Sequence, residues 1–233
     1  MHEKKQFIRK MYTSLAGRYD LANRVISWGR DRRWREKAVA GLPREGWIAD
    51  LGGGTGDLTM AYLESRQPDA CIVFIDFNKE MIVQAQQKCA RSAWRSRVFF
   101  VLADVEKLPL KSSCCAGAMS AFVLRNLPSV ELIAAESHRI LTDEGKAAFL
   151  DATRPPRGWF RGLFDVYFQK IMPRVGSAIN FGQRRAYRYL AGSVIELPPA
   201  GQLAQKFRQA GFADCRFMRL YWGMATIFSL GKR

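Results

Sequence analysis

Histidine is scarce in this chain, which has 233 residues and only two histidines, His2 and His138. So low a number argues against a catalytic histidine. The five cysteines include no Cys-x-x-Cys pair, and their number is odd. The sequence therefore predicts reduced thiols rather than a disulfide framework, and it predicts no zinc or other metal site.

Long apolar runs are also missing. No window approaches the roughly 18 unbroken apolar residues of a membrane span, and the first residues, MHEKKQFIRK, lack the apolar centre of a secretory signal. We therefore expect an intracellular, cytoplasmic protein. Hydrophobic residues make up 48% of the chain, which is enough to build a large core.

Acidic residues are few in the two flanking segments. Residues 1–45 hold 12 basic and 5 acidic residues, and residues 154–188 hold 8 and 1, whereas residues 46–153 are nearly balanced with 11 and 13. The formal net charge of +16 thus lies mainly outside the centre. This distribution indicates an anionic partner for the flanks, such as an acidic ligand, an anionic membrane or nucleic acid.

The centre alternates between apolar runs and helix-like runs. The runs WIADLG, CIVFIDF, RVFFVLAD, CCAGAMSAFVL and KAAFLDA read as strands that are apolar throughout, as in a parallel sheet covered on both faces. CRFMRLYW and MATIFSL read as two more strands, joined by an antiparallel turn at Gly223. The sequence predicts a doubly wound, Rossmann-like α/β fold with a seven-stranded, mostly parallel sheet.

A single domain with four parts is expected. Residues 1–45 would form an amino-terminal helical cap and residues 46–153 the cofactor-binding core. Residues 154–200, rich in proline and aromatic residues, would form a helical insertion that faces the substrate or a membrane. Residues 201–233 would add the closing helix and hairpin.

A glycine-rich turn follows the first predicted strand, in the stretch IADLGGGTGDLTMAYL. Gly52 and Gly54 fit the first two places of the dinucleotide motif G-x-G-x-x-G, but Asp57 stands where the third glycine belongs. A carboxylate there would repel a pyrophosphate. The turn predicts a bound ligand that carries positive charge and no phosphate.

Acids also follow the next two strands, at Asp76 and Asp104, while Asp50 ends the first strand. Because the carboxyl ends of parallel strands lie at one edge of the sheet, these acids are expected to converge on one ligand. S-adenosylmethionine fits, since it has a sulfonium and an ammonium group; Asp76 would accept from the ribose hydroxyls and Asp104 from the adenine amino group. The alternative is a ligand-free turn with helix-capping aspartates.

Taken together, several segments resemble the ubiquinone/menaquinone C-methyltransferase family within the class I methyltransferases. They are MYTSLAGRYDLANRVISWGRDRRWR, DLGGGTGDLT, SAFVLRNLPS, IMPRVGS and YRYLAGSV, and the resemblance extends over nearly the whole chain. One departure is Val123, where the family usually has glycine. Valine there would narrow the space beside Arg125.

The resemblance implies S-adenosylmethionine as cofactor and C-methylation of a reduced, prenylated quinone as reaction. Demethylmenaquinol, which would become menaquinol, is the first expected acceptor, and the 2-methoxy-6-polyprenyl-benzoquinol of ubiquinone synthesis is expected in addition or instead, because both acceptors share the same signatures. The cofactor contacts expected from the loop and from the family are Asp50, Gly52, Gly54, Thr55, Asp76, Asp104 and Val105.

The same resemblance nominates Arg125 as the central catalytic residue. Since a guanidinium stays protonated above a pH of about 12, Arg125 would stabilise a phenolate rather than take its proton. Tyr19, Asp20 or a water molecule would relay the proton, and Asn126 would orient the same oxygen. The alternative for Arg125 is a purely structural arginine that is paired with a helix carboxylate.

Two basic amphipathic segments are expected to touch an anionic membrane, where a prenylated acceptor resides. One is the stripe of residues 7–19, and the other is RPPRGWFRGLFDVYFQKIMPR. Both could instead pack over the acceptor pocket. The expected location is therefore cytoplasmic, with peripheral association at the inner face of the membrane.

Three other functions remain open at this stage. An RNA methyltransferase would usually have an Asn/Asp-Pro-Pro-aromatic motif where this chain reads LRNLPS, so no nucleic-acid partner is expected. A methyltransferase for another small aromatic acceptor is favoured only by Val123, and a binding protein without catalysis is disfavoured by the intact motifs. Homo-oligomerisation is left open.

Overall fold

The structure, a computed structural model, describes residues 2–15, 27, 29–171, 174 and 184–232. Seven strands lie within these ranges: Trp47–Leu51 (β1), Cys71–Asp76 (β2), Val98–Leu102 (β3), Cys115–Ala121 (β4), Leu141–Ala152 (β5), Asp214–Leu220 (β6) and Ala225–Gly231 (β7). They form one sheet in the order β3-β2-β1-β4-β5-β7-β6. The first five strands are parallel, and β7 runs antiparallel to both β5 and β6. The predicted fold class is confirmed.

Helices pack on both faces of this sheet. The described α-helices are His2–Leu15 (α1), Asp31–Val39 (α2), Asp57–Arg66 (α3), Lys79–Ala90 (α4), Val130–Ile140 (α5), Trp159–Val166 (α6), Arg184–Glu196 (α7) and Ala200–Gln209 (α8). A single π-type turn, Tyr167–Ile171, continues α6.

Side chains along each strand point alternately to the two faces of the sheet, so a separate buried cluster lies on each face. Ile48 of β1 packs with residues of α3 and α4, whereas its neighbour Ala49 packs with residues of α5 and α8. Helices therefore cover the sheet on both sides, and the carboxyl ends of β1, β2 and β4 meet at one edge. Strand order reverses between β1 and β4, so this edge offers a ligand crevice.

The fourth strand ends earlier than the run CCAGAMSAFVL predicted. It stops at Ala121 because Phe122 adopts a left-handed backbone with φ of +62°, which few side chains adopt. The next residues, Leu124–Asn126, form one turn of 3-10 helix instead of extending the strand. This reversal brings Arg125 back towards the end of β5.

The turn predicted at Gly223 is present. A short 3-10 turn, Tyr221–Gly223, joins β6 to β7, and Gly223 has φ of +95°. A side chain at Gly223 would come within 3.0 Å of Pro156. The turn thus fixes the antiparallel hairpin and leaves Trp222 on the surface.

Among the described residues, no helix has the length and the apolar character that crossing a bilayer requires.

Candidate active site

The glycine-rich turn binds back to the neighbouring strand through its own backbone. The amides of Gly52 and Gly53 donate to the Ile75 carbonyl oxygen at 2.8 and 3.1 Å, and the Gly54 amide donates to Oδ2 of Asp76 at 2.9 Å. Gly52 and Gly54 have φ of +72° and +59°, the region that favours glycine. The turn is therefore a rigid wall of the crevice.

Steric limits differ along this turn. A side chain at Gly53 would lie 2.2 Å from the Phe74 ring, and one at Gly52 would lie 2.6 Å from Val123. At Gly54, in contrast, a Cβ atom would meet nothing within 4 Å, and Gly54 lines the crevice. Gly54 is thus the point at which the backbone lies open to a ligand.

Asp50 lies fully buried at the end of β1. Its Oδ2 accepts a hydrogen bond of 2.6 Å from the Thr59 hydroxyl, while Oδ1 is buried with no partner in the part of the chain that the structure describes. Burial raises the pKa of Asp50 to about 7; the Thr59 hydrogen bond opposes this shift and the nearby Asp76 adds to it. A cationic ligand would lower the pKa again and satisfy Oδ1.

Asp76, at the end of β2, lies in the same crevice. Its Oδ1 accepts from the Asn78 amide at 2.8 Å, and its Oδ2 holds Gly54. Burial raises the pKa of Asp76 to about 6, against the lowering effect of these hydrogen bonds. Each carboxylate oxygen can accept a further bond, so Asp76 both shapes the turn and can bind hydroxyl groups.

Four other residues that were predicted to bind the cofactor line this crevice. They are Gly52, Thr55, Asp104 and Val105, of which Thr55 and Val105 are buried and Asp104 is half-buried. The Asp104 carboxylate accepts from the Glu106 amide at 3.0 Å, which fixes the loop after β3. The structure thus brings together all seven residues that the sequence nominated for the cofactor.

Asp57 contributes less negative charge to the crevice than its position suggested. Its carboxylate pairs with Lys88, and its Oδ2 lies 3.7 Å from the buried Arg35 guanidinium. These cations neutralise much of the charge of Asp57. Asp50 and Asp76 are therefore the main anionic groups that face a bound cation.

Helix α1 covers the crevice from above. Ile8 and Tyr12 line it, and the Asn78 side chain donates to the Arg9 carbonyl oxygen at 3.1 Å. The Tyr12 hydroxyl accepts a 2.8 Å hydrogen bond from Nδ2 of Asn126. The described apolar residues of α1 are buried against the crevice. Their burial supports the alternative in which this helix packs over the site, because buried side chains are not available to a membrane.

Arg125 lines a second, smaller chamber behind this crevice. Its guanidinium nitrogen lies 2.5 Å from Oδ1 of Asp151, and its backbone amide donates to Oδ2 at 3.3 Å. Asp151 is fully buried on β5, and burial raises its pKa while contact with Arg125 opposes the rise. The carboxylate thus comes from a strand and not from a helix.

Apolar side chains make up most of the remaining chamber wall. Trp34, Phe168, Leu190 and Val194, from α2, the turn after α6, and α7, line it with Arg125. A cation in such surroundings interacts strongly with any anion that forms beside it, because little water screens the pair.

Phe122 is the wall that the crevice and the chamber share. Its ring lies between two guanidinium groups, with Arg35 at 5.1 Å and Arg125 at 5.2 Å from the ring centre. Both distances allow cation–π attraction. The crevice and the chamber are therefore one side chain apart.

The predicted catalytic residues fall into three groups. Arg125 lines the chamber, whereas Asn126 lines the crevice, with its Oδ1 buried and without a partner in the described ranges. Tyr19 and Asp20 lie outside the described residues. Val123 packs against Gly52 and lines the crevice, so it does not narrow the chamber beside Arg125 as expected.

Sequence reasoning missed three residues that lie next to Arg125 or Asn126 in space although they are distant in sequence. Asp151 lies 26 residues from Arg125, and Tyr12 lies 114 residues from Asn126. Tyr189 also lies near Arg125: burial raises its pKa to about 12, and the charge of Arg125 opposes that shift. Tyr12 and Tyr189 lie in the matched segments MYTSLAGRYDLANRVISWGRDRRWR and YRYLAGSV, whereas Asp151 lies in none of the matched segments.

The crevice fits a cationic ligand that lacks phosphate, since it combines the unsatisfied Asp50 oxygen with the open backbone at Gly54. The strand order, the antiparallel β7 and this crevice define a class I, S-adenosylmethionine-dependent methyltransferase. The model of the ubiE/COQ5 methyltransferase family matches residues 1–232, and the chain belongs to this family.

Two relatives match along nearly their full length. The chain is 36% identical over 230 residues to the ubiquinone/menaquinone biosynthesis C-methyltransferase UbiE of Citrifermentans bemidjiense, covering 98% of this chain and 97% of that one. It is 36% identical over 235 residues to the demethylmenaquinone methyltransferase of Deinococcus radiodurans, covering 99% and 95%. Among solved structures, a SAM-dependent methyltransferase of Thermotoga maritima has the same fold, with a TM-score of 0.67 at 15% identity over 97% of this chain and 99% of that one.

Proposed function

We propose that this protein transfers a methyl group to a ring carbon of a reduced, prenylated quinone, either demethylmenaquinol or the 2-methoxy-6-polyprenyl-benzoquinol of ubiquinone synthesis. Family membership and the two relatives support C-methylation in quinone biosynthesis. The observation that carries the proposal is the position of Arg125, in an apolar chamber one side chain away from the cofactor crevice.

S-adenosylmethionine, when bound, supplies a methyl group on a positively charged sulfur. Asp50 and Asp76 provide the negative charge that holds this cation, and Gly54 offers its backbone to close approach. Thr55, Asp104 and Val105 form the remaining wall.

Arg125 acts on the acceptor. A ring carbon becomes nucleophilic when a neighbouring phenol, with an ordinary pKa of about 10, loses its proton. The guanidinium stabilises the resulting aryloxide, because Arg125 is held by Asp151 and faces apolar side chains rather than water. Arg125 itself stays protonated.

The proton of the phenol needs a separate acceptor. Tyr19, Asp20 or a bound water serves as this relay, as the family resemblance implies. Asn126 would assist from the crevice side of the Phe122 wall: its Nδ2 donates to the Tyr12 hydroxyl and to the Phe122 carbonyl oxygen, and its Oδ1 is left to accept from an acceptor hydroxyl that reaches the crevice.

The test is a methylation assay with the reduced and the oxidised form of the same demethylated naphthoquinone. The quinol should gain one methyl group, detected by mass spectrometry, whereas the electron-poor quinone should not react. Transfer RNA serves as a second acceptor in the same assay. Methylation of the RNA with no methylation of either quinol would overturn the proposal.

We further propose that the surface around α6 contacts an anionic membrane, so that the protein associates peripherally with the inner face of the bilayer. Trp159 and Trp222 are 77% and 71% exposed, and Phe160 packs against both rings, at 5.7 and 4.8 Å between centroids. Exposed tryptophans beside Arg157 and Arg161 are typical of interfacial surfaces.

Liposome sedimentation tests this surface. Binding should require anionic lipid and weaken with added salt, and Trp222→Ala should reduce it severalfold. Trp47→Ala is the matched control, because Trp47 is exposed on β1 against Phe99, far along the chain from α6. Equal binding of both variants, or no binding of the unaltered protein to any liposome, would exclude this membrane surface.

A further inference from the structure

An apolar groove at the surface adjoins the Arg125 chamber. Ser27, Trp34 and Met224 line both cavities, so these three side chains form the boundary between them. On its far side the groove is lined by Phe160 and Trp222. The chamber that holds Arg125 therefore borders the exposed aromatic surface.

The walls of the groove are almost entirely aromatic or aliphatic. Helix α6 contributes Phe160, Leu163 and Phe164, and the turn between β6 and β7 contributes Trp222. Among the described residues that line the groove, the charged one is Arg30, and its guanidinium lies over the Tyr221 ring at 4.2 Å. Such walls suit a hydrocarbon and offer little to a polar ligand.

We propose that this groove binds the first isoprene units of the acceptor's tail. The inference rests on the proposed function, since it requires a prenylated acceptor. The ring must lie where Arg125 can stabilise its oxygen, and the tail is attached to the same ring. The groove is the apolar cavity that adjoins the chamber among the described residues, and it ends at the surface proposed to meet the bilayer.

The groove then determines acceptor specificity through tail length. Complete burial of the five carbons of one isoprene unit would raise kcat/KM on the order of 10³-fold, so even partial burial in this open groove should raise it at least about tenfold. Because the tail lies away from the reacting carbon, it should act mainly through KM. The Arg125 chamber would act on the ring in the same way whether or not a tail is present.

The experiment uses water-soluble demethylated naphthoquinols with no, one and two isoprene units, without lipid, so that membrane binding plays no part. Leu163→Asp places a charge in the groove and should lower kcat/KM of the two-unit acceptor about ten times more than that of the acceptor without a tail. Val166→Asp is the matched control: Val166 lies on the same helix and is 47% exposed, against 58% for Leu163, but it does not line the groove. It should change all acceptors by the same factor.

The outcomes separate this proposal from the function itself. If the unaltered protein methylates all acceptors with equal kcat/KM, or if the two variants behave alike, the groove does not bind the tail and the function stands. If no quinol is methylated, the proposed function fails. Calorimetric titration with S-adenosylmethionine shows that each variant is folded, because the cofactor crevice is separate from α6.

Discussion

Asp50 and Asp151 are both fully buried, on two strands that flank β4, and yet they serve opposite halves of the site. Asp50 has the neutral Thr59 hydroxyl as its donor and keeps one oxygen without a partner in the described ranges. Asp151 is neutralised by Arg125. A buried carboxylate whose partner is neutral attracts a cationic ligand. A buried carboxylate that is paired with a cationic side chain instead fixes the position of that side chain, which can then stabilise an anion.

The same contrast divides the surroundings. The cofactor half is built from backbone amides and acids that lie close together at strand ends. The acceptor half is lined mostly by apolar side chains of α2, the turn after α6, and α7, together with Arg125, paired with Asp151, and Asp31, paired with Arg35. Under the proposed function, the first half would recognise the cationic cofactor before any reaction, and the second would act when negative charge develops on the ring.

Replacing Arg125 should have the largest effect, and it should impair the acceptor half of the site while leaving the cofactor half almost unchanged. Arg125→Ala should lower kcat on the order of 10²- to 10³-fold, as loss of a donor to a developing oxyanion does, while the Kd for S-adenosylmethionine changes less than about twofold. Steady-state kinetics and calorimetry measure the two effects. An equal loss of turnover and cofactor affinity would instead indicate a structural role.

Stability has to be controlled in that experiment, because the variant leaves Asp151 buried without its cation. Breaking such a pair costs roughly 3–5 kcal/mol, which a thermal melt would detect. Arg125→Ala combined with Asp151→Asn removes the uncompensated charge. If turnover returned in the double variant, the loss in the single variant would be due to folding and not to catalysis.

The next largest effect is expected in the cofactor half of the site. Asp50→Asn should raise the Kd for S-adenosylmethionine about 10- to 100-fold, the usual worth of a hydrogen bond to a charged group, with little change in kcat at saturating cofactor. Asp69→Asn is the matched control, since Asp69 is exposed and pairs with Arg97 on the surface. A fall in kcat with unchanged affinity would contradict the assigned role of Asp50.

Most of the cofactor half could be predicted from the sequence, and most of the acceptor half could not. The glycine turn, Asp50 and Asp76 lie within 27 residues and follow strands whose apolar character is plain. The Arg125–Asp151 pair depends on the reversal at Phe122, whose left-handed backbone no local pattern indicates. The expectation that Val123 narrows the chamber was wrong because the same reversal turns Val123 towards Gly52.

A pH titration of cofactor binding should test the role of the two buried carboxylates in the cofactor half. The pKa values of Asp50 and Asp76 are raised to about 7 and 6 in the folded protein, from an ordinary value of 3.8. Binding a cation requires their ionised forms, so the affinity for S-adenosylmethionine should rise on the order of several hundredfold between pH 5 and pH 7, with release of protons. Calorimetry in buffers of different ionisation enthalpy measures that release, and Asp50→Asn should reduce it.

Without cofactor, the free energy of unfolding should fall as the pH rises, whereas the affinity for S-adenosylmethionine should increase. A carboxyl group whose pKa is higher in the folded than in the unfolded state contributes stability below its unfolded pKa and loses it as pH rises through the folded pKa. The free energy of unfolding should therefore fall by a few kcal/mol between about pH 4 and pH 7 on account of Asp50 and Asp76. Saturating cofactor should abolish this loss.

The smallest expected effect concerns the contact that joins the two halves. Tyr12→Phe removes the hydroxyl that holds Asn126 beneath α1, and one neutral hydrogen bond is worth about 0.5–1.5 kcal/mol. We expect a two- to tenfold loss in kcat/KM for both S-adenosylmethionine and the quinol, because Asn126 lies between Tyr12 and the Phe122 backbone. Tyr62→Phe is the control: it removes a 2.6 Å bond to the Pro43 carbonyl oxygen outside both cavities. If Tyr12→Phe affected one substrate alone, α1 would belong to that half only, and the two halves would be coupled through Phe122 instead.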